Sequence, residues 1–147
     1  MAEKNKKLSV GAYLNCLAAV LGVVGIVAAL ICSNMTITYR LGNMGTIAVL
    51  GVFGICLAIL GIVFPSRFGN HDYLGTLSVL GGIAVFTAAF GQILGERILL
   101  IAGLFSYDSV NTVGWQVFYV TAVAIAAFII AAIVLIIGAF LKTVKNQ

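Results

Sequence analysis

Three side chains in the third apolar run have the types and spacing to do chemistry: Gln92, Glu96 and Arg97. Gln92 and Glu96 are four residues apart, so on a helix they share one face, and Arg97 points roughly 100° away from it. Gly91 and Gly95 lie beside that face, where they would let a helix or a ligand approach. Glu96 and Arg97 are also the only charges set inside a long hydrophobic run. A charge within a membrane is costly, so it marks a candidate lining for a solute or ion path. Depth argues for a plainer role. About twenty residues separate Tyr73 from Gln92, which sets Glu96 near the outer boundary. There it is expected to end the span as an interfacial anchor, pairing with Arg97 or Arg40 or meeting headgroups. Two more polar groups are candidates for the same path. Asn15 lies in the first run toward the cytoplasmic side, and its plainer role is an interhelical hydrogen bond worth ~0.6–2 kcal/mol. Gln116 lies near the outer surface with Thr121, where both could meet the Gln92–Glu96 face.

Other chemistries lack their residues. One histidine and no acidic cluster leave a zinc or di-iron centre without ligands, so no metal or cofactor is expected. There is no GxSxG elbow and no pair of intramembrane aspartates for acid–base hydrolysis. Cys16, Cys32 and Cys56 form no CxxC, lie in apolar runs and suit helix contacts better than redox work. Four-helix multidrug exporters have a similar size and topology, but they depend on a carboxylate in their first helix, and this first run has none. No enzyme is expected. His71, in a polar turn, is expected to be an ordinary solvated residue.

The elements that must position these groups follow from composition. Of 147 residues, 63% are hydrophobic and 8% charged, with a mean hydropathy of +1.21. Soluble domains carry roughly 25% charged residues, so the solvent is lipid. The net charge of +4 comes from residues at the ends of apolar runs, which argues for membrane orientation and not for nucleic acid. Four runs are long enough to cross ~30 Å of hydrocarbon: residues 8–32, 44–64, 73–94 and 115–141. The first is too long for a signal-peptide core and is expected to be retained. Pro65 is expected to end the second, and Asp72 to cap the third. Ile98–Phe105 is too short to cross. It is expected to extend the third helix or to lie along the outer surface, within an outer segment over 95–114.

The fold class predicted is therefore an all-α four-helix transmembrane bundle in one domain, with short loops and both termini cytoplasmic. That orientation puts Lys4, Lys6, Lys7, Arg67, Lys142 and Lys145 inside and only Arg40 and Arg97 outside. The five tyrosines and Trp115 fall near the predicted interfaces. A bacterial inner membrane suits the minimal loops.

An internal echo runs between the first two spans. Ala19-Val-Leu-Gly22-Val-Val-Gly25-Ile26 recurs as Ala48-Val-Leu-Gly51-Val-Phe-Gly54-Ile55. In antiparallel helices Gly25 falls level with Gly51 and Gly22 with Gly54, which predicts a tight crossing at these four glycines. Gly91 and Gly95 offer a further small-residue face, expected to pack within the bundle. The function best suited to such featureless spans is a structural or accessory subunit that packs against a second copy or a larger membrane protein. The alternative is a small oligomeric transporter or channel for a small or apolar solute.

Overall fold

The structure, a computed structural model, describes residues 8–35, 37, 40–68, 73–106 and 112–141. It contains four long helices: α1 (Val10–Asn34), α2 (Met44–Phe68), α3 (Tyr73–Ser106) and α4 (Thr112–Ala139). Each is long and apolar enough to cross a membrane. No strand element occurs among the described residues. α1 and α3 occupy opposite corners of the bundle, and each packs on both α2 and α4. Gly138 on α4 lies against Leu14 and Asn15 on α1, so the chain enters and leaves the bundle at one end. The α1–α2 and α3–α4 connections share the other end, called here the connection end.

One boundary differs from the sequence expectation, and one open alternative is decided. Pro65 does not end α2, which continues to Phe68. A proline in the last turn forfeits only one intrahelical hydrogen bond. Its ring is buried against Gly75 of α3, where a Cβ would lie 3.0 Å from the proline Cγ and Cδ. The Ser66 hydroxyl also donates to the Ile62 carbonyl at 2.8 Å, one turn back. The length of α3 decides between the two alternatives given for Ile98–Phe105. The helix runs unbroken for 34 residues, about 51 Å at 1.5 Å per residue, so Ile98–Phe105 continues the same helix. The expected Asp72 cap lies outside the described residues, as do His71 and all the lysines.

The centre of the bundle is filled by Phe86 and Phe128, both fully buried, with ring centroids 6.0 Å apart. They fill the space over Gly22, Gly25 and Gly54, while α1 and α2 meet directly where Ile55 faces Gly22 and Ile26 faces Gly51. A Cβ on Gly54 would lie 2.7 Å from Phe86, and one on Gly22 would lie 2.9 Å from the same ring. Gly25 stands in the same relation to Phe128, at 2.9 Å. Ile26 covers Gly51, and Ile55 covers Gly22. The glycines are thus holes that receive knobs from neighbouring helices. For helices in lipid, which supplies no hydrophobic drive between them, such interlocking contact is what holds a bundle together.

These contacts are reciprocal. Exchanging α1 with α2 along the sequence echo maps Gly22 to Gly51 and Ile26 to Ile55, and the same exchange maps Phe86 to Phe128. The fragments around the two rings match as well, Ile83-Ala-Val-Phe86 against Ile125-Ala-Ala-Phe128. The middle of the bundle therefore has an approximate two-fold axis across the helices, passing between the phenylalanine rings. The symmetry fails at the ends, where the polar groups are.

Candidate functional site

Glu96 and Arg97 sit together on α3 but do not pair with each other. The Glu96 carboxylate accepts two backbone hydrogen bonds, from Gly42 N at 2.7 Å and from Asn43 N at 2.9 Å. Asn43 immediately precedes α2, and its carbonyl accepts from Ile47 N at 3.0 Å, so it is the N-cap of that helix. The amides at a helix start carry partial positive charge and lack intrahelical partners. Glu96 supplies from a neighbouring helix what a capping side chain would supply locally.

Arg97 turns the other way, into the bundle. It is 3% exposed and reaches diagonally to α1, where Nη2 lies 3.5 Å from the Cys32 carbonyl and 3.7 Å from the Cys32 sulfur. Cys32 is two residues from the end of α1, where carbonyls lack partners and carry partial negative charge. Two adjacent residues of opposite sign thus each serve a helix terminus of matching polarity. This replaces the expected pairing of Glu96 with Arg97 or Arg40, because each charge finds fixed backbone dipoles closer at hand. No ion pair joins Arg97 to a carboxylate among the described residues.

The turn between α1 and α2 is tied into the same end. Leu41 N donates to the buried Ser33 hydroxyl at 3.1 Å, and the Leu41 side chain is itself buried. Thr121 on α4 is 1% exposed, and its hydroxyl has no hydrogen-bond partner among the described residues. The contacts of Gly25 with Phe128 and of Gly138 with Asn15 fix the antiparallel register of α1 and α4. That register sets Thr121 across from Cys32.

The other sequence candidates separate. Gln92 is exposed on the outside of α3, one turn deeper along the helix than Glu96. Gly91 and Gly95 are exposed too, and a Cβ on either would meet nothing within 4 Å. They do not pack inside the bundle as expected, because α3 turns this face away from both of its neighbours. Gln116, near the start of α4, is at the connection end but exposed. Asn15 is buried at the opposite end, its amide between Gly61 of α2 and Gly138 of α4. The candidates therefore fall into three places. Glu96, Arg97 and Thr121 mark the connection end, Asn15 the terminal end, and Gln92 the outer face of α3.

Sequence reasoning missed Cys32, Ser33 and the Gly42–Asn43 amides. Only the backbone amides and carbonyls that must lose water at helix ends could have pointed to them. Beyond the ends of α1 and α2, the extension of α3 and the start of α4 form a hairpin. Phe105 meets Trp115 edge-on with centroids 5.4 Å apart, and Phe118 joins them at 5.5 Å from Phe105. Leu99, 86% exposed, and Phe105, 66% exposed, stand on its outside.

The chain matches no protein-family model, no curated protein and no solved structure. The geometry alone bears on its function.

Proposed function

We propose that this protein is a structural or accessory subunit of a membrane complex, associating through the outer face of α3. The carrying observation is Gln92, set between Gly91 and Gly95 on a face that no helix among the described residues covers. A carboxamide facing hydrocarbon loses the hydrogen bonds it has in water. Two open glycines beside it let the backbone of another helix approach, and interhelical amide bonds are worth ~0.6–2 kcal/mol. The partner is another transmembrane helix, from a second copy or from a larger membrane protein. The filled bundle centre also favours association over conduction, since Phe86 and Phe128 occupy the space a path would need. A transporter or channel would have to place its path between copies.

In this reading the chain lies in a bacterial inner membrane with both ends of the bundle's entry and exit facing the cytoplasm, supported by six of its eight Lys and Arg residues. The test is co-purification of the full chain from mild detergent, beside Gly91→Leu and Gly95→Leu. A stoichiometric partner or second copy is expected with the natural chain and lost in both variants, while their thermal stability does not fall. A stable monomer with an intrinsic activity would refute the proposal.

A further inference from the structure

We infer that Arg97 anchors a binding site for a phosphate-class anion at the connection end of the bundle, either a phospholipid headgroup or a free phosphate. This rests on Arg97, Cys32 and Thr121, and is independent of the α3 face.

A guanidinium stays protonated in any protein environment and presents five N–H donors in a planar fork. In Arg97 that fork is buried, with no carboxylate beside it among the described residues and no partner for Nε. Its two contacts, through Nη2 at 3.5 and 3.7 Å, are long for charge-assisted hydrogen bonds, which run about 2.7–2.9 Å. Glu96, the one acid among the described residues, is already committed to the start of α2. Half a charge at the end of α1 offsets the cation only in part. Burying an uncompensated charge is among the costliest arrangements a membrane bundle can hold.

Three features specify what would complete it. The Thr121 hydroxyl is a second buried polar group without a partner, across from Cys32, the residue that Arg97 reaches. A planar fork together with a hydroxyl donor matches the oxygens of a phosphate, for which arginine is the preferred bidentate partner. Depth adds a further argument. Val10 to Cys32 along α1 spans about 33 Å, close to the hydrocarbon thickness, which sets Arg97 at the level of lipid phosphates. Arg40, exposed on the α1–α2 connection at the same end, adds positive charge there.

The test is thermal unfolding of the full chain in an uncharged detergent, at matched ionic strength. Separate titrations use inorganic phosphate, phosphatidylglycerol, sodium chloride and an uncharged diacylglycerol with the same acyl chains. A saturable rise in Tm with phosphatidylglycerol alone identifies a headgroup site. A rise with inorganic phosphate alone identifies a free-anion site, and a rise with both identifies the phosphate group as what is recognised. Arg97→Gln should abolish the response, and in anion-free detergent it should unfold no lower than the natural chain. Thr121→Val should raise the half-saturating concentration about fivefold or more. Arg97→Lys, which keeps the charge without the fork, should retain a weaker response. Should Arg97→Gln fail to fold, Thr121→Val and Arg97→Lys decide the question. Equal stabilisation by chloride or by diacylglycerol would overturn the site. So would no response to either phosphate compound, or an unshifted midpoint in the Thr121→Val and Arg97→Lys variants.

Discussion

Adding one methyl group at Gly54 should loosen the bundle, whereas the same change at Gly95 should tighten it. At Gly54 the new Cβ would lie 2.7 Å from Phe86 Cε1 and 2.9 Å from Cδ1. Ordinary carbon contacts are near 3.5–4.0 Å, so the ring would have to retreat by about 1 Å. It cannot do so freely, because Gly22 confines it from α1 and Phe128 lies behind it. Overpacking of this kind costs about 1–3 kcal/mol, against a gain of about 1 kcal/mol from replacing glycine inside a helix. Gly54→Ala should therefore lose up to about 2 kcal/mol net, a fall in Tm of up to roughly 8 °C. Gly95→Ala meets nothing within 4 Å and keeps only the gain, a rise of roughly 2–4 °C. Shortening the knob, as Phe86→Leu, should restore much of the Gly54→Ala loss, so the pair should be strongly non-additive. The assay is thermal unfolding in detergent of the two single variants, Phe86→Leu and the double variant. Gly54→Ala at or above natural stability, or simple additivity with Phe86→Leu, would refute the glycine-hole account of the core.

The approximate two-fold axis predicts that Gly25→Ala, against Phe128, should cost about as much as Gly54→Ala, and the same melts measure it. Glu96→Ala removes both acceptors from the Gly42 and Asn43 amides and should cost about 1–3 kcal/mol. Amide hydrogen exchange at Gly42 and Asn43 should speed up while exchange in the middle of α2 does not. Pro65→Ala should change stability by less than about 1 kcal/mol, since a regained helical hydrogen bond offsets lost contact with Gly75. A larger loss in unfolding titrations would mean that the proline–glycine contact matters more than its position in the last turn suggests. Asn15→Leu should destabilise, because its added bulk meets helices that approach at Gly61 and Gly138, and the same titrations would detect it.

Hydropathy and length alone located the four spans, because a helix in lipid must satisfy its backbone internally and present an apolar surface for about twenty residues. The α1–α2 glycine echo was also visible as a packing signal. Its partners were not, since nothing local says which distant ring will fill a hole. Phe86 and Phe128 became knobs only once α3 and α4 were docked. The spacing of Gln92, Glu96 and Arg97 correctly divided them between helix faces, but not between surroundings.

That division shows where the chain's own text stops. Residue order determined four helices long and apolar enough to cross a membrane, their small-residue faces and the one pair of charges set inside a long apolar run. Tertiary structure alone decided that Glu96 closes the start of α2, that Arg97 crosses to the end of α1, and that Gly91, Gln92 and Gly95 face outward. The reason is that charge in a low-dielectric interior is governed by the nearest fixed dipoles, and here those belong to backbone groups more than fifty residues away in sequence.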